Sequence, residues 1–562
     1  MSQAAAGAAT TAANAVITAT VAARGRGTTK AAQRTAIVIG AGHNGLTCAF
    51  YLARAGFRVR VFEKRNVVGG CAVTEEIDPL NAPGNRVSTA SYMASMLRPE
   101  VIHDMQLGRH GLKMVAANPA VQVAFEDGSV LPWWHDARQT HAELSRYSRK
   151  DADAFFQLDA ELKELAAYLQ PFFLEPPPNA EATGLAGLLE IIRVGKRMRG
   201  LNGKQISGLI TFLTGSLEQL LDRYFESEQV KRLILANNLY GKHGGPRDAG
   251  SAMGLLFHLL SGGEEKKQGF SGHVIGGMGA ITQAMAAACR DAGVEINTNT
   301  AVQQLQISSG AARGIVLENG LVLEADVVVS NADPRRTFLK LVGREHLDAA
   351  FVQQVEAIAM NGPSAKVNLV LNEEPRVIGM PADAPDLQRM VYTLVPTFEA
   401  AQRCYNDCQE GRLPEDLWVD CILPSAIDPS LVTPGHHVLT SFVQYVPYHL
   451  KGTTWEEQRE TLGQRVIDII GRYAPNVPGA IVGKDIITPL DLEHRFGITE
   501  GNIFHGDIRL DQLFFMRPLP GWSRYATPIK GLYLCGAGTH PGGGVTGAPG
   551  YNAAGVIIRE TR

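Results

Sequence analysis

The 562 residues predict an α/β chain, α+β when taken as a whole, in which a parallel-sheet domain built from three distant segments is interleaved with a second domain. Three observations predict this. A β-branched apolar run at 36–39 leads straight into a cluster of glycines, and a similar junction recurs at 532–550. Between them, 276–330 reads as helix, strand and antiparallel hairpin, which can complete a sheet begun at the amino end. The stretches 151–262 and 346–483 follow other patterns, the first helical and the second mixed. The expected layout is 35–150, 263–345 and 484–562 for the first domain, with 151–262 and 346–483 forming the second.

Ala36-Ile37-Val38-Ile39 has the composition of a buried parallel strand. Gly40-Ala41-Gly42-His43-Asn44-Gly45 follows, then a helical stretch over 46–55 that Gly56 closes. Residues 58–62 alternate as a second strand and end at Glu63, eighteen positions past Gly45. Each part has a task. Gly40 permits a tight turn, Gly42 lets the backbone approach a pyrophosphate, and Gly45 lets helix and strand close up. The helix N-terminus, with Val38, His43 and Asn44 beside the glycines, favours the diphosphate through its free N–H groups and dipole. Glu63 is placed to accept hydrogen bonds from ribose hydroxyls. Strand, glycines, helix, strand and acid in register predict a dinucleotide site.

Lys64 comes next, and then Arg65-Asn66-Val67-Val68-Gly69-Gly70-Cys71-Ala72-Val73-Thr74. This run resembles the RxxxGGxxxT/S extension that follows the second strand in FAD-binding oxidoreductases of the glutathione-reductase type. The resemblance implies FAD as the cofactor and a Rossmann FAD domain interleaved with a substrate-binding domain. Lys64, Arg65, Gly69, Gly70 and Cys71 then join the site; Cys71 stands where many such proteins carry Arg.

Two later segments agree. Residues 276–279 (Gly-Gly-Met-Gly) precede a helix over 280–292, a strand over 294–302 and a meander turning at Asn319-Gly320. Val302 is expected to offer backbone contacts to the adenine. Near the carboxyl end, a strand over 532–535 runs into a glycine-crowded loop and a final helix. Glycines this dense let backbone lie against a flat ligand, so Gly536, Gly538, Gly544, Val545 and Gly547 are expected contacts. The final helix would aim N–H groups at the flavin N1–C2=O edge and favour the anionic reduced form. His540, beside Pro541, is expected to order the loop rather than act as a base.

The runs Gly42-His-Asn-Gly-Leu46, Phe62-Glu-Lys-Arg65, Gly69-Gly-Cys-Ala-Val-Thr-Glu-Glu76 and Gly276-Gly-Met-Gly-Ala280 are more specific than a generic nucleotide motif. So are Gly501-Asn-Ile-Phe-His-Gly506, Asp511-Gln-Leu-Phe-Phe515 and His540-Pro-Gly-Gly-Gly544. From about residue 35 to the end, the sequence resembles the phytoene-desaturase-like FAD oxidoreductases, which include carotenoid isomerases and retinol saturases. Within them it is similar to the family called pyridine nucleotide-disulphide oxidoreductase domain-containing protein 2. That resemblance implies an oxidoreductase with a role in mitochondria. Disulphide chemistry does not fit the residues: it needs a CxxxxC or CxxC pair over the flavin, and Cys71 stands alone. A second GxGxxG unit for NAD(P)H is missing, so oxygen, a quinone or another protein is the expected electron acceptor.

In the insertions, apolar residues recur at three and four over Ile206, Leu209, Ile210, Leu213, Leu217, Leu220 and Leu221. This stripe reads as core, with a membrane-surface helix over 206–221 as the alternative. Strands are expected at 366–371 and 418–423, and a helix at 455–473. Oxidising a C–H bond with flavin needs the substrate carbon over N5 and a group to take a proton. His505, Lys366, Tyr92 and Arg517 are the side chains available near the motifs. None stands in a constellation that identifies a base, so the catalytic residue is left unassigned. No metal-ligand spacing occurs.

Composition sets outer bounds. Forty-five per cent apolar and 19 per cent charged residues exclude wholesale disorder. A net charge of −3 gives no basic field to hold nucleic acid. Seven scattered cysteines read as reduced thiols, and no apolar run is long enough to cross a bilayer as a helix. Residues 1–34 carry four basic side chains and no acid, the composition of a mitochondrial presequence or of an Ala-rich tail. The expected protein is thus an FAD-dependent, desaturase-type oxidoreductase of the mitochondrial matrix, with the cytoplasm as the other location, acting on a small apolar substrate. Two rivals stand beside it: a flavin-binding mitochondrial protein that works through a protein partner with little turnover, and an amine oxidase, which shares the fold.

Overall fold

A computed structural model describes residues 33–179, 183–238, 241, 244–261 and 272–562; the predicted leader lies almost wholly outside them. Its first sheet has five strands in the order Leu532–Leu534, Val327–Ser330, Thr35–Ile39, Arg58–Phe62 and Glu295–Asn297. Every pairing in it is parallel. Thr35–Ile39 lies at its centre, and its residues 36–39 are apolar and buried, as their composition requires. The helix His43–Arg54, with Gly42 as its N-cap, starts three residues earlier than the sequence suggests, so the second half of the glycine motif is already its first turn. Gly56, at φ +96, ends it in the left-handed conformation expected of a glycine past a helix end.

The single strand expected over 294–302 is two. Glu295–Asn297 edges the parallel sheet, and Val302–Ser308 begins a three-stranded antiparallel meander with Ala311–Leu317 and Val322–Glu324. Asn299 turns the chain between them at φ +50, a value asparagine tolerates. The N–H groups of Asn299 and Thr300 donate to the carbonyls of Arg65 and Glu63, which fixes the segment after the second strand.

The second sheet has seven strands in the order Ile481–Ile487, Ser364–Leu371, His437–Gln444, Trp418–Ile422, Val391–Leu394, Val121–Ala124 and Val130–Trp133. Two expected boundaries shift as a result. Residues 121–133 do not belong with the first FAD segment, because Thr393 pairs in parallel with Val123 and carries that hairpin onto the second sheet. The boundary at 483/484 would cut a strand whose residues pair with 366–371. Such pairings across hundreds of residues leave no local mark in a sequence. The helices Arg149–Leu169 and Met253–Ser261 share one apolar core with this sheet, through Phe155, Leu158, Leu162, Leu256 and Trp418.

The stripe over 206–221 is broken into Gly203–Thr214 and Leu217–Asp222. Leu217, Leu220 and Leu221 are buried, so a continuous membrane-surface helix there is not formed; only Ile206 and Ile210 stay exposed. Among the described residues, no helix is long and apolar enough to cross a membrane.

Candidate active site

The parallel strands end at a cavity of about 420 Å³, lined on this side by the glycine loops. Gly40 takes φ +92, where other residues are strained. A β-carbon on Gly45 would fall 2.2 Å from the Gly40 carbonyl oxygen, so only glycine lets the helix close on the strand. On Gly42 it would fall 2.7 Å from Nδ2 of Asn331. Gly42 forms a parallel bridge with Gly69, whose N–H donates to the Ala41 carbonyl at 2.9 Å. The two glycine loops thus lie side by side and present bare backbone to the cavity.

Side chains frame this cradle. The Glu63 carboxylate is buried and accepts from the N–H groups of Ala41 (2.9 Å) and Arg65 (3.0 Å). Arg65 pairs with Glu75 at 2.5 Å, and its guanidinium lies 4.9 Å over the Phe496 ring. His43 donates from Nε2 to the Gly544 carbonyl at 3.0 Å, which joins the first glycine loop to the last. Burial pulls its pKa down to about 4, so the ring is neutral. Burial also lowers Lys64, with Arg336 nearby adding to the effect.

Does FAD fit these residues? Asn44 Oδ1, Arg65 Nη1 and His505 Nδ1 are buried without a protein partner, and all three residues line the cavity. Buried polar atoms are nearly always paired, so these await a polar ligand. With the bare glycine backbone, they match a dinucleotide's phosphates, sugars and flavin edge.

Beyond the cradle the same cavity enters an apolar chamber. Phe155, Leu158 and Leu162 come from one helix, Leu255 and Phe257 from another, and Ile422 from the seven-stranded sheet. The chamber has the lining to receive an apolar molecule next to the glycine cradle.

The model of the family described as flavin containing amine oxidoreductase matches residues 45–558. The rat pyridine nucleotide-disulfide oxidoreductase domain-containing protein 2 is 37% identical, over 94% of each chain. The chain belongs to the flavin-containing amine oxidoreductase family. A subunit of limonene dehydrogenase from Castellaniella defragrans is 27% identical, over 93% of this chain and 94% of its own. An oxidoreductase structure from Methanosarcina mazei superposes with a TM-score of 0.56 at 17% identity, covering 94% of this chain and all of that one, which shows the shared fold. As a member of this flavin-containing family, the chain is an FAD-dependent oxidoreductase.

Most of the positions that the sequence singles out for FAD line the cavity of this flavin-containing oxidoreductase: Gly40, Gly42, His43, Asn44, Glu63, Lys64, Arg65, Gly69, Gly70, Cys71, Val302, Gly544 and Val545. Five do not. Val38 is a fully buried strand residue, and Gly45 is taken up by helix–strand contact. Gly536 and Gly538 pack against the Asn331 carbonyl and the Pro334 ring, where a β-carbon would come within 2.7 and 2.4 Å. Gly547 starts the last helix at φ +76, behind the wall that Gly544 and Val545 form. Cys71 lines the cavity as a thiol, not a thiolate, because burial pushes its pKa up to about 12.

Of the four acid–base candidates, Tyr92, Lys366 and His505 line the cavity of this flavin-containing oxidoreductase and Arg517 does not. Arg517 is fully buried and donates to the carbonyls of Phe504, Gly506, Asp507, Gln512 and Ala537. It clamps two loops and handles no proton. His540 likewise donates to the Phe172 carbonyl, at 2.7 Å, and lies off the cavity.

Lys366 stands in a constellation that the sequence alone does not reveal. Its Nζ donates to Thr440 Oγ1 at 2.5 Å and sits 4.4 Å over the Tyr92 ring. The Tyr92 hydroxyl donates to Asp420 Oδ2 at 2.7 Å, and Thr393 donates to Asp420 Oδ1 at 2.6 Å. Burial drives both ionisable groups toward neutrality. Lys366 falls to about 7, with Asp420 opposing, while Asp420 rises to about 6 against its hydrogen bonds and Lys366. Asp420 was findable: an acid at the centre of Trp418-Val-Asp-Cys-Ile422 contradicts an otherwise buried strand.

Proposed function

We propose that the chain dehydrogenates an elongated apolar substrate in the manner of a desaturase, with the hydride passing to flavin N5 and a quinone or oxygen taking the electrons onward. The continuity of the glycine cradle with the apolar chamber is the observation that carries this reading. The limonene dehydrogenase relative supports a dehydrogenation. Bound FAD supplies the two-electron acceptor. The chain's own residues do the rest: the chamber excludes water and aligns the substrate, neutral His43 ties the loops, and the buried amine of Lys366 is a proton acceptor within the same cavity.

Anaerobic photoreduction followed by mixing with quinone, oxygen or NAD⁺ tests the reading. Quinone or oxygen is expected to restore the oxidised flavin spectrum, and NAD⁺ is not. Rapid reoxidation by NAD⁺ would overturn the proposed acceptor. Failure with every acceptor would favour the flavin-binding mitochondrial protein that works through a partner. The acid-free residues 1–34 support a matrix location over a cytoplasmic one, and a mature chain that begins beyond them would bear this out.

The substrate's apolar nature also favours work at a bilayer surface. On the helix Gly184–Met198, Leu185, Leu188, Leu189 and Ile192 share one face and are 73, 52, 57 and 42% exposed. Lys196 and Arg199 continue that face, so apolar and basic groups together match an anionic lipid surface. Vesicles of phosphatidylcholine with phosphatidylglycerol are expected to carry the protein in flotation, less so at high salt. Aspartate at both Leu188 and Leu189 is expected to weaken this roughly hundredfold. Equal flotation of that variant, or a concentration-dependent dimer that covers the face, would refute the docking.

A further inference from the structure

The chamber is lined largely by apolar side chains, and the deeply buried ionisable pair Lys366 and Asp420 stands on one patch of the seven-stranded sheet, built across four strands. In register, Lys366 is opposite Phe442, Phe442 opposite Asp420, and Asp420 opposite Thr393. The four side chains therefore form a single row on one face, and all four line the cavity. Tyr92 lies over the row, stacked on Phe442 with ring centroids 5.4 Å apart and planes 21° from parallel. Behind Lys366, Thr440 passes its own hydrogen to Asn368 Oδ1 at 2.7 Å, which leaves its oxygen free to receive the amine.

This arrangement is costly unless it is used. Lys366 and Asp420 are 1 and 3% exposed, and a buried lysine or aspartate is rare without a direct partner. The two do not bond to each other; each is held by hydroxyls on its own side. Held this way, Lys366 keeps donor capacity beyond its bond to Thr440, and Asp420 keeps acceptor capacity beyond its two bonds. Ser364, on the same strand as Lys366, adds a buried hydroxyl that lines the cavity without a partner.

A ligand group that meets this row has a restricted chemistry. A bare hydrocarbon leaves the spare donors and acceptors unmatched. A carboxylate gains Lys366 but faces Asp420, and an ammonium gains Asp420 but faces Lys366. A neutral group that both accepts and donates meets both without repulsion. We infer that the substrate is an apolar molecule carrying a hydroxyl group, seated with its oxygen on the row Lys366, Asp420 and Thr393 beneath Tyr92. This rests on the proposed apolar-substrate oxidoreductase and specifies what its substrate carries. Lys366, Asp420 and Tyr92 are then specificity-determining residues.

Four eight-carbon probes test this with the FAD-loaded protein: 1-octanol, octane, octylamine and octanoate. Affinity is read by calorimetry and by perturbation of the flavin absorbance, neither of which needs turnover. The alcohol is expected to bind about tenfold or more tighter than each of the others, the size of a hydrogen bond to a charged or partly charged group. Lys366→Met is expected to erase the preference of alcohol over octane while octane still binds. Tyr92→Phe, which keeps the ring and removes only the hydroxyl held by Asp420, is the milder variant should the first misfold; it is expected to reduce the preference severalfold. Octane binding as tightly as octanol, a charged probe binding tightest, or an unchanged preference in both variants would overturn the inference and leave the oxidoreductase reading intact. Failure of every probe to bind would overturn the inference together with the proposed apolar substrate on which it rests.

Discussion

Replacing Gly42 by leucine is expected to give a folded protein that binds FAD markedly more weakly. Gly42 has φ −68 and ψ 166, values open to any residue, so the substitution imposes no backbone strain. Its β-carbon would meet only the tip of the Asn331 side chain, at 2.7 Å, and a side-chain tip can move. The added atoms therefore compete with the ligand for the cradle and not with the fold. Overpacking of a fitted site costs about 1–3 kcal/mol, so FAD should bind roughly ten- to hundredfold more weakly. Gly45 makes the contrast. A β-carbon there would sit 2.2 Å from a backbone oxygen, and alanine at Gly45 is expected to damage folding itself. Flavin absorbance per chain, read beside circular dichroism, separates the two outcomes. An FAD affinity in the Gly42→Leu protein equal to that of the unaltered chain would mean that the diphosphate lies elsewhere.

Arg517→Met is expected to be the most destabilising single change among the buried residues behind the cavity wall. The guanidinium satisfies five carbonyls, and its bonds to Phe504, Gly506 and Ala537 tie the 504–512 loop to the glycine loop after the last strand. Burial lowers its pKa to about 10, with Asp507 opposing, so it remains charged at neutral pH. Its removal leaves several buried oxygens without donors, at a cost on the order of 4 kcal/mol. Denaturant unfolding should show a large loss of midpoint, with flavin released in the same transition. A variant that keeps its midpoint and its flavin yet loses turnover would return Arg517 to the proton-handling groups.

The nucleotide half of the site was legible because its demands are local. Gly40, Gly42, Gly69 and Gly70 answer to backbone geometry within a few residues, and Glu63 closes the pattern at a fixed spacing. Those needs leave contiguous motifs. The substrate half is written in strand register instead. Lys366, Asp420 and Thr393 come from three strands, and Tyr92 from a loop some 270 residues before Lys366. No spacing in the chain announces that they meet. The hairpin at 121–133 escaped for the same reason, since one parallel pairing with Val391–Leu394 assigns it to the second sheet. Arg517 shows the opposite error: a conspicuous cation near family motifs invites a chemical role, yet five carbonyls account for it.

Flavin stoichiometry is the most direct test of the cavity's role. The purified chain is expected to be yellow, with one FAD per polypeptide that is released intact when the protein is denatured. A folded, colourless chain that takes up no FAD on reconstitution would contradict the assignment of the glycine cradle, and with it the chemistry proposed for the chamber beside it.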